Sequence, residues 1–561
     1  FLLAGVQAYN TYPDSDLDTL NASFPGRFIE WNAQALPLED ESYSTILITN
    51  AIDAGLSLQF LATESVRISQ DSIFLLLDTQ AEPDTKQARK DWEMVFFNNG
   101  ARKHPAYYRV NDYQSLQHEQ GKIAIPLEKV PKEAAVIYPL EALKEERDLH
   151  MDMTREPGSR SDAHIIRYML ASRYVRSGDR VLDAACGLGY GAYTLFNCSD
   201  ADSVLGVDGS NYAVKYAEKN FSAVNPQLTF KEGWLPEALN DIPDNSIDFI
   251  TSFETLEHVP DPVGLMAEFY RVLSPSGRIV LSVPNDWSDE TGDDPNPFHF
   301  HVYTWERIVR ELEKDFILES AYAQTADQYK PKIHNSHDWA VGIREMIALD
   351  TKTLIEKDPS CEWCILVGMK SPLVGTEVPY NETTYDLYPD NPDWKVTRFD
   401  DYTNPWLVKG LVTIGHRIED NYRLLELSRE VASQSTANSP DLGAALCIQA
   451  YQLLKQPALK NNELEAFALQ INTYLSQPEI SHQQLRWKVS LTFVMAQLWQ
   501  AVGNTAVAID WYKKCTAFDC VQYSPTLITK QIRSYLNLGL IESGSGNTDE
   551  AAAYWRSGVA N

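Results

Sequence analysis

The hydrophobic pattern in the middle of the chain alternates between strand and helix. Short apolar runs at residues 181–186, 204–208, 247–253 and 278–285 have the composition of buried strands, and the segments between them have a helical period. This alternation predicts an α/β fold with a parallel sheet that is covered by helices on both faces. Residues 325–360 separate the last two predicted strands, and a long insertion at that place is typical of a lid or partner site.

A fainter copy of this pattern precedes the central segment. Residues 28–78 follow the order strand, loop, acidic turn, strand, helix and strand that residues 230–283 also follow. The earlier segment keeps the apolar skeleton, but no glycine-rich turn precedes it and its strand ends lack the polar residues of the later one. We interpret residues 1–145 as a partial, degenerate and catalytically silent α/β domain; an unrelated α/β segment is the alternative.

The carboxyl-terminal part of the chain is helical in period. It follows a linker rich in Pro, Asp and Tyr at residues 374–405. Residues Ala496, Trp499, Gly503, Ala508 and Tyr512 are matched 43 positions later by Gly539, Glu542, Gly546, Ala551 and Trp555. Small residues alternating with bulky ones resemble tetratricopeptide repeats, although the usual period is about 34. Residues 406–561 are therefore predicted to form an all-α, repeat-like domain that could bind a protein partner.

Charge and hydropathy restrict the classes of partner. The 561 residues include 48 Lys and Arg against 78 Asp and Glu, a formal net charge of −30. A field of that sign repels phosphate backbones, so nucleic-acid binding is disfavoured. No apolar run approaches the ~20 residues that a membrane span needs. The opening residues 1–6 are too few for the core of a signal peptide. We therefore expect a cytoplasmic protein without a membrane span.

A glycine-rich turn marks the candidate cofactor site. Gly187, Gly189 and Gly191 lie between a predicted strand and a predicted helix, where the absence of side chains lets a ligand approach the backbone. Asp208 ends the next strand, about 20 residues on, where a carboxylate can accept hydrogen bonds from ribose hydroxyls. A dinucleotide would also fit this arrangement.

Five motifs in order resemble those of the class I S-adenosylmethionine-dependent methyltransferases, most of all the branch fused into bacterial glycan-modifying proteins. They are DAACGLGYG (183–191), GVD (206–208), SFETLEHVPDP (252–262), RVLSPSGRIVLSVPN (271–285) and NPFHFHVYT (296–304). The resemblance implies a Rossmann-like methyltransferase sheet for residues 146–373, with S-adenosylmethionine as the cofactor.

The resemblance also implies which residues bind the cofactor. The residues expected around its methionine end are Asp183, Cys186, Gly187 and Gly189. Asp208 would bind the ribose hydroxyls, and Phe253 would line the site. In one respect this chain departs from the family: Trp234 stands where an acidic residue usually faces the adenine amino group. Stacking on the indole could replace that hydrogen bond.

Candidate catalytic groups follow the fourth strand. Methyl transfer requires the acceptor, methyl and sulfur in line, and removal of the acceptor's proton. Glu254, Glu257 and His258 have the spacing i, i+3, i+4, which predicts one face of a helical turn, and we expect His299 to join them. Three readings remain open: the four bind a divalent metal (Mg, Mn or Zn), as in similar metal-dependent O-methyltransferases; His258 or His299 is a metal-free base; or the residues are structural.

Basic residues precede the first strand and suggest the acceptor's charge. Six arginines lie between residues 153 and 180, in the segment that covers the active site of such methyltransferases. They would suit an anionic acceptor such as a uronic acid or sugar phosphate, and a solvated amphipathic helix is the alternative. The candidate substrate contacts are Arg160, His164, His301 and Tyr303. The favoured function is O-methylation of a sugar or glycan; a metal-dependent nucleic-acid 2'-O-methyltransferase and a cofactor-binding scaffold are the alternatives.

Overall fold

The structure is a computed structural model, and the chain divides into two compact units. The first unit comprises residues 1–273 and 277–369, and the second comprises residues 274–276 and 370–561. The described residues are 10–12, 22, 28–30, 35–49, 57–78, 85–114, 122–145, 151–223, 225–331, 338–380, 402–412, 420–456, 459–479, 481–520 and 525–560. Within them, no helix has the length and the apolar composition that crossing a membrane requires.

The amino-terminal part of the first unit is built on a four-stranded sheet. Its elements are β1 (Asn10–Tyr12), β2 (Phe28–Glu30), β3 (Tyr43–Thr49), α1 (Leu58–Ile68), β4 (Ser69–Asp78), α2 (Thr85–Asn98), β5 (Ala101–Lys103), α3 (Tyr107–Val110), β6 (Lys122–Lys129), α4 (Lys132–Ile137) and α5 (Leu140–Glu145). The sheet order is β3-β4-β6-β5; β3 and β4 are parallel, and β6 is antiparallel to both of its neighbours. Strands β1 and β2 form a separate parallel pair.

The central part contains an eight-stranded sheet. Its elements are α6 (Ser159–Ser172), β7 (Arg180–Ala184), α7 (Tyr190–Cys198), β8 (Ser203–Asp208), α8 (Asn211–Ala217), β9 (Leu228–Glu232), β10 (Ile247–Phe253), α9 (Pro262–Val272), β11 (Leu273–Pro284), α10 (Trp305–Glu313), β12 (Phe316–Thr325), β13 (Gln328–Tyr329), β14 (Ala340–Val341), β15 (Glu345–Leu349), α11 (Leu354–Lys357) and β16 (Trp363–Lys370). The sheet order is β15-β12-β16-β11-β10-β7-β8-β9. The five strands from β11 to β9 are parallel, and β16 is antiparallel to β11. The predicted α/β fold is confirmed.

The connections of the central sheet follow from local sequence. Every residue of β10 and β16 is buried, because helices and neighbouring strands cover these apolar segments. Side-chain caps begin helices close to the strand ends: Ser210 accepts a hydrogen bond from the backbone of Ala213, and Asp261 accepts one from Gly264. The chain therefore turns sharply at the carboxyl ends of the parallel strands, where ligands of such sheets bind.

The two sheets share a strand order. The order β3-β4-β6-β5 in the amino-terminal part corresponds to β10-β11-β16-β12 in the central part. In both, the first pair is parallel and the second pair is antiparallel. The insertion at residues 325–360 contains three short strands, of which β15 pairs antiparallel with β12 and extends the central sheet by one strand. Residues 332–337 of this insertion are outside the described part.

The second unit is helical. Its elements are a 3₁₀ helix (Pro372–Glu377), α12 (Pro405–Val412), α13 (Asn421–Gln434), α14 (Pro440–Leu454), α15 (Asn461–Leu475), α16 (His482–Ala501), α17 (Thr505–Thr516), α18 (Pro525–Gly544) and α19 (Thr548–Ala560). Gly503 and Gly546, with φ of 79° and 84°, form the turns of the hairpins α16–α17 and α18–α19. A Cβ on Gly539 would lie 2.1 Å from the indole nitrogen of Trp555, so this helix contact requires glycine. Most of the predicted linker, residues 381–401, is outside the described residues.

Candidate functional site

The glycine-rich turn after β7 forms a tight backbone loop. Ala185, Gly187 and Gly189 have φ of 62°, 54° and 81°, in the left-handed region. The backbone nitrogen of Gly187 donates a hydrogen bond to Oδ2 of Asp208 over 2.8 Å. A Cβ on Gly189 would lie 2.6 Å from the Cβ of Ala217, so helix α8 can approach only a glycine. The structure thus brings together the predicted cofactor residues of the first two strands.

An exposed tryptophan lies beside the second-strand carboxylate. Oδ1 of Asp208 accepts a hydrogen bond from the backbone of Ser210 over 2.9 Å, which holds the carboxylate at the end of β8. The Trp234 ring covers the next residue, because a Cβ on Gly209 would lie 2.6 Å from it. Trp234 is 77% exposed. A flat apolar surface is therefore available next to the carboxylate that is predicted to bind ribose.

Asp183 is a buried carboxylate with incomplete hydrogen bonding. Oδ1 accepts hydrogen bonds from the hydroxyls of Thr251 (2.8 Å) and Tyr168 (3.2 Å), whereas no hydrogen bond of normal length and angle reaches Oδ2. Burial raises the pKa of Asp183 to about 7. The Cys186 thiol is also buried, and burial raises its pKa well above the usual range. Phe253 packs edge-to-face on Tyr168, with ring centroids 4.8 Å apart.

Glu254 is held just after the end of β10 rather than on a helical turn. Its φ of 51° is left-handed, and the 3₁₀ helix that follows it comprises only Leu256–His258. Oε1 accepts hydrogen bonds from Arg167 (2.9 Å) and Ser282 (3.0 Å), and Oε2 accepts one from the Trp363 indole (2.5 Å). The expectation that Glu254, Glu257 and His258 share one face of a helical turn is wrong, because these partners hold Glu254 before the turn begins.

Glu257 lies with two histidines in a compact cluster. It is 1% exposed, and neither carboxylate oxygen accepts a hydrogen bond from another residue. Burial, and then the nearby Glu254 carboxylate, raise the pKa of Glu257 well above its usual range. Glu257, His258 and His299 each offer one ligand atom, and the three atoms lie within 4.8 Å of one another. A buried carboxylate without donors, next to two imidazoles, suits a divalent cation.

The two histidines of this cluster have defined hydrogen bonds. Nδ1 of His258 donates to the Phe298 carbonyl over 2.8 Å, which leaves Nε2 as its basic nitrogen. Partial burial, and then the neighbouring His299, lower the pKa of His258, although the bond to Phe298 opposes them. Nδ1 of His299 bonds to Asp294 over 2.6 Å, and its Nε2 accepts from the Asn296 amide over 2.9 Å. A metal bound at Nε2 of His299 would therefore displace Asn296.

Arg160 lies beside two neighbouring indole rings at the edge of the site. Its guanidinium carbon is 5.7 Å from the ring centroids of both Trp287 and Trp363, and its side chain is 44% exposed. It donates a hydrogen bond to Glu362 over 2.8 Å. Burial raises the pKa of Glu362 to about 7, against the attraction of Arg160. Arg160 can therefore present part of its positive charge to a ligand beside two aromatic faces.

The other candidate substrate residues are placed differently. His164 is 6.0 Å from the Trp363 ring, and burial, and then Arg167, lower its pKa well below the usual range. His301 donates from Nε2 to the Val259 carbonyl over 3.1 Å. Tyr303 is 1% exposed in the hydrophobic core, where its hydroxyl donates to Glu311. As placed here, Tyr303 presents no surface to a substrate.

Sequence reasoning missed several residues of this site. Arg167 was one of six arginines with no signal that singled it out, yet it is fully buried and bonds Glu254. Trp287 and Trp363 were unremarked apolar residues of a loop and a strand. Their roles depend on which side chains the folded sheet brings near them, and no local pattern records that.

Part of the central segment is similar to a known protein family. Residues 182–281 match the family described as "Methyltransferase domain". That segment begins in β7 and ends in β11, and it includes the glycine-rich turn, Asp208 and the Glu257–His258 pair.

The curated relatives are similar over this same part. A Mycolicibacterium smegmatis protein named "Probable S-adenosylmethionine-dependent methyltransferase" is 34% identical over 139 residues, which is 24% of this chain and 51% of that protein. Sterol 24-C-methyltransferase of Aspergillus fumigatus is 31% identical over 151 residues, 26% of this chain and 38% of that protein. The chain thus spans about half, or less, of the length of these relatives.

Solved structures are also similar. A methyltransferase from Aquifex aeolicus, described as dependent on S-adenosylmethionine, is 16% identical, with a TM-score of 0.25, and the match covers 36% of this chain and 89% of that one.

Proposed function

We propose that this protein is an S-adenosylmethionine-dependent O-methyltransferase that acts on a sugar or glycan-type acceptor. The hydrogen bond between the Gly187 backbone and Asp208 carries the proposal, because it joins the glycine-rich turn to the second-strand carboxylate inside the segment that matches the methyltransferase domain. The relatives with assigned names over this segment transfer methyl groups to varied acceptors, so their names support the reaction and leave the acceptor to the site itself.

The site offers the groups that the cofactor requires. Asp183 at the end of β7, together with the turn at Gly187 and Gly189, lies where the methionine end of the cofactor is expected. Asp208 can bind the ribose hydroxyls, and the exposed face of Trp234 can stack on the adenine ring. Together these groups would fix the sulfonium near the carboxyl ends of β7 and β10.

The acceptor is assigned from the groups beside the cofactor site. Arg160 supplies a partly exposed positive charge, and the partly buried Trp287 ring beside it supplies a flat apolar surface. A sugar ring with a carboxylate or phosphate group matches this combination, because the ring can pack on an indole while the anion pairs with the guanidinium.

His258 is the group best placed to take the acceptor's proton. Its Nε2 is the basic nitrogen, and its lowered pKa keeps the ring neutral near pH 7. The donor set of Glu257, His258 and His299 also fits a divalent metal, since the Glu257 oxygens have no other donors. When bound, such an ion would lower the pKa of an acceptor hydroxyl. Glu254 would not be a ligand, because Arg167, Ser282 and Trp363 already occupy its oxygens.

The flanking regions are given roles on the same basis. The strand order shared by the two sheets supports the interpretation that residues 1–145 are a degenerate copy of half a methyltransferase domain. The glycine turns of the two carboxyl-terminal hairpins support a repeat-like helical domain with a protein partner.

Calorimetric titration tests the proposal. The full chain, treated with a chelator, is titrated with S-adenosylhomocysteine and S-adenosylmethionine, and then again with Mn²⁺ added. Micromolar or tighter binding is expected for both ligands, and absence of binding would overturn the proposal. Methyl transfer from labelled S-adenosylmethionine is then compared for methyl glucuronoside and methyl glucoside, which carry no phosphate and differ in the carboxylate. Faster transfer to the anionic sugar is expected, and equal rates would remove Arg160 from the acceptor site.

A further inference from the structure

One buried carboxylate on helix α6 forms ion pairs and a hydrogen bond with residues that are far apart in sequence. Asp162 is 0% exposed. Its Oδ1 accepts hydrogen bonds from Lys103 Nζ (2.7 Å) and the Tyr108 hydroxyl, and its Oδ2 pairs with Arg89 (2.7 Å) and Arg344 (2.6 Å). Three cations converge on this one carboxylate, so loss of Asp162 would leave buried positive charge without its shared partner.

The partners of Asp162 come mainly from the amino-terminal sheet. Arg89 lies on α2, Lys103 ends β5, and Tyr108 lies on α3, whereas Arg344 belongs to the insertion before β15. Lys103 Nζ, with its side chain 1% exposed, also donates to the Glu156 carbonyl (3.0 Å) and to the Ser161 hydroxyl (3.3 Å). All three Lys103 bonds therefore reach the first turn of α6 and the segment just before it.

Further along the same helix, two residues hold the methyl-transfer site. Arg167 pairs with Glu254 and donates to Ser282, which lies at the carboxyl end of β11. Tyr168 donates to Asp183 and packs on Phe253, and a Cβ on Gly191 would lie 2.0 Å from its ring. A shift of α6 would thus move the groups that support Asp183, Glu254 and the glycine-rich turn together.

We propose that the amino-terminal sheet is a positioning element of the cofactor site, acting through Lys103, Arg89 and Tyr108 on Asp162 of α6. These three residues bond α6, and α6 in turn bonds Asp183 through Tyr168 and Glu254 through Arg167. Arg344 brings the insertion to the same carboxylate, so the helix and the insertion are held from one point. This inference rests on the proposed function in one respect, because one of its two measurements is the affinity for S-adenosylhomocysteine.

The test compares two lysines of the amino-terminal sheet. Lys103→Met removes the three bonds to α6 while it keeps the length of the side chain. Lys129→Met is the matched control, because Lys129 is 10% exposed and bonds Glu41 and Ser69 within the amino-terminal part. In the full chain, Lys103→Met is expected to weaken S-adenosylhomocysteine binding about tenfold and to speed hydrogen exchange at residues 159–172. Lys129→Met is expected to lower the thermal midpoint as much as Lys103→Met does, but to change neither S-adenosylhomocysteine affinity nor hydrogen exchange at residues 159–172.

Further measurements separate the possible outcomes. Lys103→Arg keeps a cation and should restore most of the affinity. Should Lys103→Met fail to fold, Tyr108→Phe, which removes the hydroxyl that the amino-terminal part donates to Asp162, is measured in its place with the same expectations. Equal affinity and equal exchange in the Lys103 variant and the wild type would overturn the inference. If the wild-type chain does not bind S-adenosylhomocysteine, the proposed function fails, and hydrogen exchange at residues 159–172 still decides whether the sheet holds α6.

Discussion

Strands β3 and β10 hold the same place in two sheets of the same order, yet their surroundings differ. Strand β10 pairs with β7 on one side and β11 on the other, and all seven of its residues are buried. Strand β3 is the outer strand of its sheet as described, its burial alternates along its length, and Leu47 is 49% exposed. The amino-terminal sheet is the half of the architecture that lacks a described counterpart of the glycine-rich turn and its strand.

The segments that follow β3 and β10 also differ in their acidic residues and histidines. Residues 254–258 after β10 contain Glu254, Glu257 and His258, whereas residues 50–56 after β3 contain a single acidic residue and no histidine. A shared strand order therefore does not bring a shared chemistry. In folds of this kind, function depends on the side chains at the strand ends, and the sheet sets where they meet.

The largest effect is expected from Asp208. Asp208→Ala removes the acceptor of the Gly187 and Ser210 backbone hydrogen bonds and the predicted ribose contact. We expect S-adenosylhomocysteine affinity to fall by about a hundredfold, because hydrogen bonds to a charged group are each worth about 1.5–3 kcal/mol. Calorimetry measures this. Asp71→Ala, on β4 of the amino-terminal sheet, is the control and should leave the affinity unchanged. If Asp71→Ala lowered the affinity as much as Asp208→Ala does, the two sheets would not differ in their contribution to cofactor binding.

The next effect separates the two glutamates that follow β10. Glu257→Gln should weaken Mn²⁺ binding at least tenfold, because its oxygens are the only carboxylate ligands in the described cluster. Glu254→Gln should change Mn²⁺ affinity little, since Arg167, Ser282 and Trp363 occupy that carboxylate. Titration of the chelator-treated protein gives both values. Equal losses of Mn²⁺ affinity in the two variants would show that Glu254 is also a metal ligand. If the wild type does not bind Mn²⁺, the metal hypothesis is wrong.

A smaller effect distinguishes two buried carboxyl groups by their pH dependence. Burial raises the pKa of Asp183 to about 7, so the folded state retains a proton that the unfolded state loses, and stability falls as pH rises from about 4 to about 7. The thermal midpoint of Asp183→Asn, relative to that of the wild type, should therefore rise by about 2–4 °C between about pH 4 and about pH 7. Above about pH 7 the difference should stay constant.

Asp162 should behave in the opposite way. Burial opposes ionisation, but Lys103, Arg89 and Arg344 together hold the pKa of Asp162 below its usual range. Its contribution is complete above about pH 4 and is lost only as pH falls further. The deficit of Asp162→Asn should thus stay constant between pH 5 and pH 8 in thermal unfolding. A deficit that changes across this range would show that the three cations do not keep Asp162 ionised.

The smallest effect concerns the adenine end of the cofactor. Trp234→Ala should weaken S-adenosylhomocysteine binding about fivefold, because stacking of a base on an aromatic ring is worth about 1–3 kcal/mol. Since Trp234 is 77% exposed, the thermal midpoint should not change. Trp555→Ala in the helical unit is the control. Unchanged affinity in the Trp234 variant would place adenine elsewhere.

Local patterns predicted much of the central domain. The strands at residues 181–186, 204–208 and 247–253 were predicted from apolar runs, and the turn between β7 and α7 from its glycines, because burial and tight turns restrict residue type directly. The helical turn predicted for Glu254 was wrong because spacing assumes a regular helix, and the left-handed residue after β10 interrupts it. No pattern predicted the Asp162 network, whose partners lie 54 to 182 positions away in sequence.

The amino-acid sequence by itself determined the strand and helix periods, the glycine-rich turn and the carboxylate at the end of the second strand, since each depends on neighbours along the chain. Only the tertiary structure decided which glutamate is available, because Arg167 and Trp363 approach Glu254 while Glu257 remains without donors. It also decided that Arg160 lies beside Trp287 and Trp363 and that Asp162 meets three cations. Charges and rings far apart in sequence interact only when the fold removes the water between them, and that depends on every element at once.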